Sequence, residues 1–164
     1  MQSTTKPFRY KDRLNRLLED YGYANDGEEQ GWADKEDDAK KLDLLLVHNI
    51  VKNGTSILDL GGATTLLYNH LRESGVKTHY VNAQAGLNGT DRYNVVVAFG
   101  VSERLATHQQ IKDYVDRTVN STKKFYVMDF SKERNKDVIL EIFKQYGKVG
   151  VIDSNESFVV VLER

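Results

Sequence analysis

The chain has 164 residues and a mass of 18.7 kDa, the size of one ordinary domain. Its 23 Lys and Arg against 24 Asp and Glu leave a formal net charge of −1, which excludes a strongly basic nucleic-acid glove and an acidic tail as the overall character. Without cysteine there are no disulfides, zinc–thiolate clusters or thiol nucleophiles, while 40% apolar residues suffice for a real core.

Residues 1–7 are polar and hold the single proline, so they read as a loose arm. Leu14, Leu17, Leu18 and Tyr21 fall at i, i+3, i+4 and i+7, which predicts a helix closed by Gly22. Residues 23–34 read as a loop carrying Trp32, an anchor for the N-terminal helices or a cover for a pocket. A second helix is expected from the cap Asp34 to about Val51, with Leu42, Leu45, Leu46 and Ile50 on its buried stripe. Residues 26–43 carry eight acids against three bases, which predicts a solvated face or a surface for a basic partner.

From Ser56 the hydrophobic period changes. SILDL (56–60), THYVNA (78–83) and YNVVVAFG (93–100) read as strands, the last buried on both faces. KFYVMDF (124–130) follows a helix through Ile111, Tyr114, Val115 and Val119. After a helix through Ile139, Ile142, Phe143 and Tyr146, KVGVID (148–153) and SFVVVLE (157–163) form a closing antiparallel hairpin. Alternating strands and helices predict an α/β fold with a mostly parallel sheet covered on both faces. The expected division is a helical N-terminal extension over 1–53, packed on a core domain over 54–164. No apolar run approaches the ~20 residues that span a bilayer, and no basic-then-apolar leader opens the chain, so a cytoplasmic protein is expected.

In an open α/β sheet, ligands bind beyond the carboxyl ends of the strands. The segment from Asp59 through Gly61, Gly62 and Ala63 leaves a strand and enters a helix, where glycines permit close approach of a ligand to free N–H groups. Asp59 can orient that loop or accept from a ligand amine. Phe99, Gly100 and Glu103 follow the most buried strand, and Asp129 ends the next one. Glu103 and Asp129 are the carboxylates expected at one rim, as general bases or, for Asp129, as a helix cap. The four histidines lack ligand spacing, so no metal site is expected; His48 and His70 fall within helices. There is no Walker A loop and no G-x-S-x-G elbow.

SILDLGGATTLLYNHLRESG resembles the first motif of the class I S-adenosylmethionine-dependent methyltransferases, a strand followed by D-x-G-x-G-x-G and a helix. YNVVVAFGVSERL resembles their later motif, with Glu103-Arg104-Leu105 matching its E-H-L. The closing hairpin is similar to that family's reversed seventh strand. YGYANDGEEQGWADKEDDAKKLDLLL is similar to the lead-in of small phage and bacterial members. The resemblance covers most of residues 10–164 and implies a Rossmann-like methyltransferase fold. It also implies S-adenosylmethionine as cofactor, held by Trp32, Asp59, Gly61, Gly62, Ala63, Asn82, Phe99 and Gly100.

The motifs are degenerate. Ala63 takes the third small position, Thr64 and Thr65 follow where a glycine is usual, and the second strand ends Val81-Asn82-Ala83-Gln84, without the family's ribose-binding acid. Asn82 or Gln84 would replace it with weaker bonds. Only nine residues, Gln84 to Arg92, occupy the place of a helix, a third strand and a loop; a crossover needs at least ~10–12. Six strands are therefore expected. The lost edge would expose apolar sheet for a homodimer or a protein partner. Two functions remain open. One is a methyltransferase with weakened cofactor binding and an unassigned acceptor. The other is an inactive methyltransferase-fold protein binding partners through the 26–43 segment and the basic residues Lys123, Lys124, Lys132, Arg134 and Lys136. Nucleic acid stays open as a partner, although the charge does not indicate it.

Overall fold

The computed structural model describes residues 35–61, 66–82 and 91–164. Trp32, Asp34, Gly62, Ala63, Gln84 and the helix expected around Leu14–Tyr21 lie outside the described residues.

Helix α1 spans Lys35–Val47, and the chain then turns at Asn49 with φ 61°. Asparagine tolerates this left-handed conformation, and the Ile50 N–H donates back to the Leu45 carbonyl at 3.0 Å. The helix therefore ends before the expected Val51, and His48 sits in the turn after it. Strand β1 (Ser56–Asp59), helix α2 (Leu66–Glu73), strands β2 (His79–Asn82) and β3 (Tyr93–Ala98), helix α3 (His108–Thr118), strand β4 (Thr122–Ser131), helix α4 (Lys136–Lys144), and strands β5 (Lys148–Asp153) and β6 (Ser157–Glu163) complete the domain. A short 3-10 turn, Ser102–Arg104, follows β3. Thr107 caps α3, its hydroxyl accepting from the Gln110 N–H while the Gln110 side chain accepts from the Thr107 N–H.

Among the described residues the sheet has six strands in the order β2-β1-β3-β4-β6-β5. The first four are parallel. Strand β6 runs antiparallel between β4 and β5, as the hairpin reading requires. Alternation along β3 sorts the core into two layers. Val95 and Val97 pack with Leu42 and Leu45 of α1 and Leu67 and Leu71 of α2. Val96 and Ala98 pack on the other face with Ile111, Val115, Tyr126 and Phe143. Residues Val95–Ala98 are all buried, matching the two-faced burial expected of this strand.

Two expectations about charge differ from the structure. Lys41 and Asp43, within the segment expected to be a solvated acidic face, are buried at 6% and 7% exposure, Lys41 against Asp129 of β4 and Asp43 against His70 of α2. The five basic residues do not form one cluster. Lys123 and Lys124 open β4, whereas Lys132 follows its far end, and ten residues of strand span roughly 30 Å. Arg134 turns inward to donate to the Ser102 and Leu105 carbonyls. Among the described residues, no helix is long and apolar enough to cross a membrane.

Candidate active site

The chain leaves β1 for β2 on one side and returns to β3 on the other, so the topological switch point lies between β1 and β3. Asp59 pairs in register with Val97, and the Leu60 N–H extends the ladder to the Val97 carbonyl at 2.8 Å. The loop after β1 is thus held against the end of β3. A Cβ at Gly61 would collide with the Phe99 carbonyl oxygen, so only glycine fits this approach. Gly100 has φ 78° and open space where a side chain would project.

Asp59 organises this loop. One carboxylate oxygen accepts from the Gly61 N–H at 3.2 Å, and the other accepts a short hydrogen bond from the Tyr80 hydroxyl. Tyr80 lies on β2 opposite Ile57, one step diagonal to Asp59 on the same face. Burial pushes the Asp59 carboxyl up to about 6, against the lowering effect of its bonds from Tyr80 and Gly61. The Tyr80 hydroxyl is held well above its ordinary value by burial and by the neighbouring carboxylate.

Asp129, at the end of β4, is neither a helix cap nor a free base. One oxygen accepts from the Gly100 N–H at 2.9 Å and the other binds the Lys41 ammonium at 2.5 Å. The Lys41 ammonium also lies 6.0 Å from the centre of the Phe99 ring. Glu103 is exposed beside this pair. Partial burial and then the Asp129 carboxylate raise its pKa, opposed by Lys41 and Arg104. The turn that carries Glu103 is clamped by Arg134, whose guanidinium holds the Ser102 carbonyl at 2.7 Å.

Asp59, Gly61, Phe99 and Gly100 therefore come together as the motifs imply, and Asn82 stands directly across from Asp59 in register. Asp129 and Glu103 share one rim. Two residues of the site had no signal of their own kind: Lys41 reads like its neighbour Lys40, and Tyr80 like any strand aromatic. Period-two alternation does put Tyr80 on the face of Asn82, which is the one clue to its role. His70 is fully buried on α2, 3.5 Å from the Asp43 carboxylate.

No protein-family model and no curated protein matches the chain. Solved structures do. The magnesium protoporphyrin IX methyltransferase from Synechocystis PCC 6803 with bound SAM is similar over 100% of both chains, with a TM-score of 0.60 and 12% identity. The same enzyme with bound SAH matches 92% of this chain and 99% of its own, with a TM-score of 0.60 and 11% identity. The N-methyltransferase NodS from Bradyrhizobium japonicum WM9 covers 80% of this chain and 98% of its own, with a TM-score of 0.52 and 8% identity. The fold is the Rossmann-like methyltransferase fold. Its first strand, switch point and reversed last strand are β1, the β1–β3 crevice and β6 of this chain.

Proposed function

We propose that the chain is a methyltransferase that binds S-adenosylmethionine, weakly, at the carboxyl ends of β1 and β3. The observation that carries this reading is the switch-point contact, with Gly61 seated on the Phe99 carbonyl, its N–H held by Asp59, and Gly100 leaving open space beside it. The solved structure of similar fold with bound SAM supports the same reading. The group fits this rim. Gly61, Phe99 and Gly100 would line it and Asn82 would meet the ribose, joined by Trp32, Gly62 and Ala63 as the motif resemblance implies.

When bound, the cofactor supplies an electrophilic methyl group on a sulfonium. The protein's part is to place the acceptor in line and to take its proton where it carries one. Asp59 holds the loop. Asp129 is neutralised by Lys41 and its oxygens are engaged, so Glu103 is the carboxylate positioned to accept that proton. Its raised pKa brings it closer to the range of a working base. Arg134 positions it through the Ser102 turn.

A second reading, a non-catalytic binding protein, is favoured by one observation: both strand-end acids, Asp59 and Asp129, are bonded within the protein. A thermal-shift titration of the full chain with S-adenosylmethionine and S-adenosylhomocysteine separates the two. A saturating shift that Gly61→Ala diminishes supports the cofactor site. No shift at any concentration supports the binding protein.

A further inference from the structure

At the opposite end of the sheet, by the amino ends of β1, β3 and β4, a cavity of about 220 Å³ opens. Among the described residues its polar lining is Asn49, Lys52, Asn53, Thr55, Asn94 and Lys124, with no carboxylate among them. The side-chain acceptors of Asn94, Asn53 and Thr55 in this lining are already engaged. The Asn94 Oδ1 accepts from the Ser56 N–H at 2.8 Å and from the Ser56 hydroxyl at 2.9 Å. The Asn53 Oδ1 accepts from the Lys77 N–H at 2.9 Å. Both amides are thereby fixed in orientation, and each keeps its NH₂ group to donate.

Thr55 is nine-tenths buried, and its hydroxyl accepts from the Lys52 N–H at 3.0 Å, which leaves its own hydrogen to donate. Neither lysine has an ion-pair partner among the described residues. The Lys124 ammonium is held over the Phe125 ring of the cavity wall, 5.3 Å from its centre. The result is a pocket of two basic side chains and several oriented donors. That chemistry matches a tetrahedral oxyanion, whose oxygens only accept. The volume is several times the ~30 Å³ share of a water molecule, enough for a phosphate group with a short substituent.

We propose that this cavity binds a phosphate group, as the free ion or as a small phosphomonoester. The site is separate from the methyltransferase crevice and does not rest on the function assigned there. The test is an NMR titration of the full, nitrogen-labelled chain with sodium phosphate and, separately, glycerol phosphate, at ionic strength held constant with sodium chloride. The expected result is saturating shifts of the Gly54, Thr55 and Lys124 amides with a dissociation constant of about 1 mM or below, and no shift at Gly61 or Gly100. Tighter binding of phosphate than of glycerol phosphate identifies the free ion, and the reverse order identifies a phosphomonoester.

Asn94→Asp keeps the oxygen that Ser56 needs and replaces the donor with negative charge, so it should weaken binding about tenfold or more. The double variant Lys52→Gln/Lys124→Gln alters only exposed side chains and provides the same test if Asn94→Asp fails to fold. Shifts that never saturate, that chloride alone reproduces, or that persist unchanged in a folded variant overturn the proposal.

Discussion

The two ends of this sheet treat their polar groups in opposite ways. At the carboxyl ends, the acids Asp59 and Asp129 are buried and bonded inward, to Tyr80 and Gly61 in one case and to Lys41 and Gly100 in the other. At the amino ends, Lys52 and Lys124 have no ion-pair partner among the described residues, and the Asn94 amide keeps its NH₂ group to donate. Groups bonded inward hold the fold, because removing one partner strands the other in a medium of low polarity. Groups left open contribute little to stability and are the ones available to a ligand. Substitution at each end should therefore read out differently.

The largest effect is expected at the buried ion pair. Lys41→Ala or Asp129→Ala should cost about 3–5 kcal/mol, because each leaves an uncompensated buried charge. Lys41→Met/Asp129→Leu should recover most of that loss. Urea denaturation midpoints of the three variants measure it, and equal losses in single and double variants would contradict the pairing.

Next comes pH. The Asp59 carboxyl is raised from 3.8 to about 6 in the folded protein, so between those values the native state holds a proton that the unfolded state has released. Stability should fall as pH rises across that window, by about 3 kcal/mol at ~1.4 kcal/mol per pH unit, and level off above it. Tyr80→Phe removes a bond that favours the carboxylate and should extend the decline to higher pH. Asp59→Asn should abolish this component of the slope. Thermal melts from pH 4 to 8 of wild type and both variants check the sign.

Gly61→Ala is expected to cost about 1–3 kcal/mol, since the added methyl must push the loop off the Phe99 carbonyl. The smallest effect belongs to the other end: Lys52→Gln/Lys124→Gln should change stability by no more than about 0.5 kcal/mol. A large loss there would erase the contrast between the two ends.

Much of the fold was legible because its signals are local. The strands Lys148–Asp153 and Ser157–Glu163 match the expected spans residue for residue, since each apolar run is bounded by a turn. The helix end at Val47 was not legible, because it depends on Asn49 adopting a left-handed conformation. Within the site, Gly61 and Gly100 were readable from strand-to-loop glycines, whose need is local. The roles of Lys41 and Tyr80 were not, because a long side chain finds its partner only once helix and sheet are packed. The ion pair of Asp129 is hidden for the same reason: its partner Lys41 lies 88 positions away in the chain.

The most direct test of the central claim is calorimetric titration of S-adenosylmethionine into wild type and Asn82→Asp. Wild type should bind with a measurable affinity weaker than about 1 μM, because Asn82 offers the ribose no charged acceptor. Asn82→Asp should tighten it about tenfold, as a charge-assisted hydrogen bond is worth about 1.5–3 kcal/mol. Micromolar or tighter binding by wild type, or no heat from either protein, would contradict it.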